Sequence, residues 1–434
     1  MSNVAALTSD TRFAHRRTRA TVTLTDADGQ PLGGREVTVE QTKHAFLFGN
    51  IGFDFIGLAN GEPETPLYSP FGGCSVETAR RLEPLWLDLF NQATLPFYWR
   101  GFELEAGRPD TRRLRRTAEW FAARGVAVKG HPLLWHTMAP RWLLGEDDKE
   151  VARDLRARIE REVTHLGDVV PTWDAINEAV IMPVFDREDN AVTRLAQRLG
   201  RVPMVRLAFD AARRANPDVT LLINDFNLSP AYERLIEDVL AAGVRLDAIG
   251  LQSHMHQGYR GEAFFDDVLA RFARFGLPLH LTENTLLSGD PMPAQVTDLN
   301  DYVVDHWPST PKGEERQAEQ IVRHYQQLVA HPAVACVNYW GITDEGAWLG
   351  APSGLVRADG SPKPAYDALR GLIKGAWWLR PTTARTDALG RVVVDAFAGD
   401  YRLTVADAVV DLTLPTGDPA LTVSAGGDLE GTRS

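Results

Sequence analysis

Two glutamates stand at the ends of apolar runs. Thr172-Trp173-Asp174-Ala175-Ile176-Asn177-Glu178-Ala179 begins as a buried strand would, after Val169-Val170-Pro171, and ends by presenting an amide and a carboxylate side by side. Further along, Leu279-His280-Leu281-Thr282-Glu283 is a second apolar run that ends in a carboxylate. Polar groups at such positions are costly in a core and expected at a site built on strand ends. Glu178 and Glu283 together supply what glycosidic bond cleavage needs. One carboxyl gives a proton to the leaving oxygen, while the other attacks or stabilises the sugar cation. That chemistry calls for no cofactor and no metal. Four more runs end in polar or aromatic residues: Lys129 to His136, Asn224-Asp225-Phe226-Asn227, Gly250 to His254, and Tyr339 through Trp348. Indoles suit the flat C–H faces of a pyranose, and amides and imidazoles read its hydroxyl edges.

These residues need a frame that brings strand ends together. Continuous apolar runs at Ala45 to Asn50, Phe90 to Pro96, Val126 to Trp135, Thr172 to Glu178, Val219 to Phe226, Ala248 to His254, Leu279 to Glu283 and Ala335 to Ile342 read as eight buried strands. Helical patterns separate many of them: Arg113 to Arg124, Val151 to His165, Val205 to Ala215, Tyr232 to Ala242, Glu262 to Phe275 and Glu314 to Ala330. The alternation predicts an α/β fold, a closed (β/α)8 TIM barrel over residues 45–375. Alternating strands before it (1–44) and after it (376–434) are too few at either end to bury a face alone. Together they resemble a carboxypeptidase-regulatory-like β-sandwich, so the two chain ends are expected to complete one small β-domain. Gly426 to Ser434 reads as a frayed tail.

The 434 residues carry a formal charge of −12 and are 44% hydrophobic. That composition excludes a largely disordered chain and offers no electrostatic attraction for nucleic acid or anionic lipid. No run has the length of a membrane span, and Met1 to Arg19 lacks the apolar centre of a signal peptide, so the expected location is cytoplasmic. The two cysteines, Cys74 and Cys336, make no disulfide framework and are expected to be free thiols. Lys129, Arg100 and the run Arg112 to Arg116 read most simply as solvated faces.

In their order the motifs resemble glycoside hydrolase family 10, the retaining endo-β-1,4-xylanases. The matching stretches are Gly130-His131 with Trp135-His136, Trp173-Asp174 with Asn177-Glu178-Ala179, Asn224-Asp225 with Asn227, Leu251-Gln252-Ser253-His254, Leu281-Thr282-Glu283, and Trp340-Gly341 with Thr343-Asp344 and Trp348. The resemblance implies a carbohydrate substrate, Glu178 as acid/base and Glu283 as nucleophile. It implies that Asn177 holds the sugar 2-hydroxyl, and that His131, Gln252, His254 and Trp340 line the cleavage subsite. Trp135 and Trp348 would flank it, and His254 would hydrogen-bond the nucleophile. The Glu178 pKa should be raised, largely by the other carboxylate.

Two departures bear on substrate. Where the family reads Glu-Leu-Asp, with the Asp supporting the histidine, this chain has Glu283-Asn284-Thr285. Where the family has Thr-Pro-Glu-Asn-x-Met-Lys-Trp, gripping the next sugar on the glycone side, this chain has Thr94-Leu95-Pro96-Phe97-Tyr98-Trp99-Arg100-Gly101. Pro96 and Phe97 offer no side-chain hydrogen bond there, Tyr98 and Trp99 add aromatic bulk, and Arg100 is left to reach a hydroxyl. The long loop Asn284 to Lys312, carrying Trp307, could wall off one end of the cleft. The expectation is a glycosidase for short or decorated xylan-derived or related plant glycosides, cleaving near a chain end. Two rival readings remain: a non-catalytic carbohydrate-binding barrel, and a metal-dependent hydrolase built on His254-Met255-His256 with His131 and His136.

Overall fold

The computed structural model describes residues 3–5, 10–63 and 71–425; the tail from Gly426 lies outside them. The chain divides into two compact units, Phe48–Tyr366 and, from the two chain ends, Met1–Leu47 with Asp367–Ser434.

The larger unit is a closed barrel of eight parallel strands, each followed by helical segments. In order they are Leu47–Ile51, Gln92–Pro96, Ala127–His131, Thr172–Asn177, Thr220–Asp225, Ala248–Leu251, Leu279–Asn284 and Val334–Tyr339. All eight coincide with expected strands, with shifted ends. The third is shorter than its apolar run because Pro132, which has no N–H to give to a ladder, follows His131 directly. The helix Val76–Leu89 was not expected. A Gly-Gly pair precedes it and Pro84 interrupts it, which hides its period. Asp147 and Glu150 form a capping box at the head of Asp148–Leu166, and Arg201–Ala215 stops before Asn216-Pro217.

Two glycines set how closely the strands carrying the site pack. A β-carbon at Gly130 would lie 2.2 Å from the ring of buried Trp173, and one at Gly250 would lie 2.4 Å from Asn224 Oδ1. Only glycine leaves room for the fourth and fifth strands to bring their polar ends inward.

The smaller unit holds two four-stranded sheets. One contains Arg17–Thr25 between Arg391–Phe397 and Ala420–Ser424, with Asn3–Ala5 at its edge; the other contains Glu36–His44 between Thr382–Arg385 and Gly399–Val405, with Ala408–Leu414 outermost. Each sheet therefore takes strands from both chain ends. Val22, Leu24, Val37 and Val39 from the first end meet Val392, Val394, Leu403 and Leu414 from the second in one apolar core.

Candidate active site

The fourth strand ends in buried Asn177, and the chain then turns sharply. Glu178 adopts φ 56°, a left-handed conformation that costs a non-glycine residue on the order of 1 kcal/mol, and its N–H donates to the Asn224 carbonyl (2.8 Å). This turn aims the carboxyl into the mouth of the barrel. There its Oε2 accepts from Trp135 Nε1 (2.9 Å), and its Oε1 accepts from Asn177 Nδ2 (3.3 Å) and Gln252 Nε2 (3.4 Å). Burial raises its pKa most, followed by the nearby Asp225 carboxylate and then Glu283. The bonds from Trp135 and Gln252 pull the other way, and the carboxyl stays raised, to about 8. The expectation that the partner carboxylate would dominate is thus corrected: burial and Asp225 come first. Asp225 is itself buried and raised to about 7 by that burial.

Glu283, on the seventh strand, is held differently. Its Oε1 accepts from Asn224 Nδ2 (2.9 Å) and its Oε2 faces His254 Nε2 (2.9 Å). Burial works to raise it. The His254 hydrogen bond, the His131 and His254 imidazoles and the Asn224 amide outweigh that, so it stays below its ordinary value. A chain of amides joins the two carboxyls. Asn224 Nδ2 also donates to Asn177 Oδ1 (2.8 Å), which accepts from Gln252 Nε2 as well (3.0 Å), and Thr282 Oγ1 locks Asn224 Oδ1 (2.7 Å).

His131 is oriented by Asp174, whose Oδ2 lies 2.7 Å from both His131 Nδ1 and Lys129 Nζ. Burial acts to raise Asp174, but the Lys129 charge and His131 overcome it and hold the carboxylate at about 2. Lys129 is therefore buried and paired, not part of a solvated face. Trp340 stands edge-on to His131 and His254 (ring centroids 5.5 and 5.8 Å), and Trp348 lies 4.8 Å from His254.

The structure thus brings together Glu178, Glu283, His131, Trp135, Asn177, Gln252, His254, Trp340 and Trp348. Arg100 is engaged elsewhere: its guanidinium pairs with Glu188 and donates to the Ala139 carbonyl (3.0 Å). Within the divergent second-strand run, Phe97 packs against Trp173 and Phe102, and Trp99 donates to Glu103. Tyr98 alone turns to the site, with its buried ring against His131 and Trp135. Thr285 does not support His254; its hydroxyl accepts from the Met255 N–H (2.8 Å). Trp307 is buried in one apolar cluster with Leu287 and Met292 of its own loop and Ala351 after the eighth strand, and donates to the Asp290 carbonyl. That loop is fastened to the one after the fourth strand by Arg187, which pairs with Asp298 and Asp301.

Sequence reasoning missed Asp174 and Phe71 as positioning or lining residues, and it gave Tyr98 and Trp99 alike as aromatic bulk where only Tyr98 faces the site. Asp174 stood inside a quoted motif, and a carboxylate in the middle of an apolar strand was the available signal. Phe71 follows a proline-containing stretch and precedes two glycines, where no periodicity exists to read. For the metal-dependent reading, the described residues hold no group of three or more His, Cys, Asp or Glu able to bind an ion. No helix among them is long and apolar enough to cross a membrane.

Comparison with known proteins fits this geometry. The profile of glycosyl hydrolase family 10 matches residues 97–371. Endo-1,4-β-xylanase B of Thermotoga neapolitana is 28% identical over 292 residues, covering 64% of this chain and 78% of that protein. Endo-1,4-β-xylanase A of Xylanibacter ruminicola is 28% identical over 253 residues, covering 52% of this chain and 65% of that protein. The crystal structure of xylanase 10B from Thermotoga petrophila RKU-1 in complex with xylobiose shares the fold, with TM-score 0.61, 22% identity, 76% of this chain covered and 94% of that one. With a profile match spanning well over half its length and carrying both strand-end glutamates, the chain belongs to glycosyl hydrolase family 10 and is a glycoside hydrolase.

Proposed function

We propose that this protein cleaves β-1,4-linked xylosides, fragments of xylan or related plant glycosides, with retention of anomeric configuration. The observation that carries the reading is the opposite displacement of two carboxyls in one mouth: Glu178 is held up at about 8 and Glu283 is held below its ordinary value. At neutral pH the first is therefore an acid and the second an anion, the division of labour that double displacement requires. The xylanase names of the relatives support the choice of sugar.

In the first step Glu283 attacks the anomeric carbon. Glu178 passes its proton to the glycosidic oxygen, the C–O bond breaks and a glycosyl ester forms on Glu283. In the second step Glu178, now a carboxylate, takes a proton from water as that water attacks the anomeric carbon and expels Glu283. The Asn177–Asn224 amide pair fixes where the charges stand before either step, so little reorganisation is needed as charge develops. His131, pinned by Asp174, can present its other ring nitrogen to a sugar hydroxyl.

The test is the anomeric form of the first product from an aryl β-xyloside, followed by proton NMR. A β-anomer at early times, with a 2-fluoro glycosyl adduct on the peptide containing Glu283, is the expected result. An α-anomer would overturn the retaining assignment.

A further inference from the structure

Glu283 is held by His254, whose Nε2 lies 2.9 Å from its Oε2. A carboxylate oxygen can only accept, so Nε2 must carry the hydrogen. In a neutral imidazole the other nitrogen is then a bare acceptor. That nitrogen, Nδ1 of His254, is buried and has no hydrogen-bond partner among the described residues. A ring free to take either tautomer would part of the time turn a lone pair toward the nucleophile.

Three rings pack on His254. Two are the indoles of Trp340 and Trp348, with centroids 5.8 and 4.8 Å away, and Trp340 gives its N–H to the Phe71 carbonyl (3.1 Å). The third is His256, 5.7 Å away. It is 1% exposed, and both of its ring nitrogens are buried without a partner among the described residues. Burial first, and His254 second, lower its pKa to about 3, so it stays neutral and keeps one N–H to give. Buried and unpartnered, each ring is costly alone. Side by side they satisfy each other through one hydrogen bond, direct or through one water.

His256 is also fixed in place. Its carbonyl accepts from the Met292 N–H (2.8 Å). The next residue, Gln257, donates through its side-chain amide to the carbonyls of Pro293 (3.1 Å) and Val296 (2.7 Å). The His256 ring stands against Trp348 and Trp307, with centroids 5.1 and 6.2 Å away. The loop after the seventh strand therefore acts on the site without touching a sugar, by seating His256 beside the histidine that faces the nucleophile.

We infer that His256 is a positioning residue for the nucleophile: it donates to Nδ1 of His254 and so holds His254 as the tautomer whose Nε2–H faces Glu283. The hydrogen bond made by one imidazole nitrogen decides where the proton sits on the other. The inference rests on the retaining reading above, in which Glu283 attacks and is later expelled. Its expulsion returns full negative charge to the carboxylate, and a donor already turned toward it stabilises that charge without reorganisation.

The experiment compares His256→Phe, which keeps a ring and removes both nitrogens, with His256→Gln, whose amide keeps a donor. Each is read by kinetics on an aryl β-xyloside and by nitrogen-15 NMR of the histidine rings at neutral pH. His256→Phe should lower kcat about tenfold, the effect of losing one hydrogen bond, with KM changed roughly twofold or less. His256→Gln should recover most of that rate. Wild-type His254 should show one tautomer, protonated at Nε2 only, and His256→Phe should show a mixture. A loss of packing alone would lower the melting temperature and leave the tautomer unmoved. A wild-type His254 in mixed tautomers or doubly protonated overturns the inference whatever the variants do. So does a folded His256→Phe variant with wild-type kcat or an unchanged His254 signal, or a His256→Gln variant as slow as His256→Phe. If the wild type cleaves the aryl xyloside while any of these holds, only this inference fails. If it cleaves none, the proposed function fails, and the tautomer of His254 still decides the pairing.

Discussion

The Nε1 of Trp135 lies 2.9 Å from Oε2 of Glu178. An indole N–H can only donate, so Oε2 accepts, and Oε1, whose contacts from the Asn177 and Gln252 amides are longer (3.3 and 3.4 Å), is the oxygen better placed to carry the proton. Trp135 thus makes the two oxygens of Glu178 unequal. Its hydrogen bond favours the carboxylate and opposes the upward pull of burial and Asp225. Replacing Trp135 with Phe should therefore raise the Glu178 pKa and move the alkaline limb of the kcat/KM profile upward from its starting place near pH 8. The rate should fall about tenfold as the proton is no longer directed. A limb that moves down would contradict this account.

Asp225 acts on the same group in the opposite sense. Its carboxylate is the second cause, after burial, of the raised Glu178 pKa. Asp225→Asn should bring the alkaline limb down and leave the acid limb, set by Glu283, nearly unchanged. Because Asp225 also accepts from the Val180 and Asn227 N–H groups (3.0 and 2.9 Å), some loss of stability accompanies the shift. The pH profile of kcat/KM against an aryl β-xyloside measures both limbs.

The raised Glu178 pKa is a cost to the fold. The unfolded chain ionises this group near 4.5 and the folded protein only near 8. Below the lower value both states are protonated and no penalty exists. Stability is lost as pH climbs through this window, and the full penalty is present above it. Glu178→Gln should therefore stabilise the protein little at pH 4 and most at pH 9. With the side chain only 15% exposed, the gain should be on the order of 3 kcal/mol at the upper end. Denaturant unfolding at several pH values reads this directly; a gain independent of pH would refute it.

Lys129 and Asp174 form an ion pair with almost no exposure, 2.7 Å apart. Removing one partner leaves the other charge buried and uncompensated. Lys129→Met should destabilise by about 3–5 kcal/mol and loosen His131, raising KM more than it lowers kcat. Chemical denaturation and Michaelis kinetics of the variant provide the check.

In the smaller unit, the central strand Arg17–Thr25 pairs along its length with Arg391–Phe397, and Glu36–His44 with Gly399–Val405. Truncation after Ala376 removes these partners and bares the edges and inner faces carrying Val22, Leu24, Val37 and Val39. Lower solubility, with increased binding of a hydrophobic dye, is the expected result.

Much of this molecule was legible in one dimension. Buried strands announce themselves as apolar runs, and their polar tips mark the open face of a barrel, so both glutamates and their strand order could be read locally. Residues that act through neighbours distant in sequence could not. Whether Phe97, Tyr98 or Trp99 faces the site depends on how the strand end bends; the chain turns only Tyr98 inward. Lys129 reads as a surface lysine until the third and fourth strands pair and bring Asp174 beside it. Asp225, ahead of Glu283 among the charges that keep Glu178 protonated, came from the packing of adjacent strand ends. Phe71 entered only when the loop after the first strand was held down by the loop after the eighth. Sequence reports the period and chemistry of each segment, but pKa values and subsite walls arise from which segments meet, and burial and distance are properties of that meeting alone.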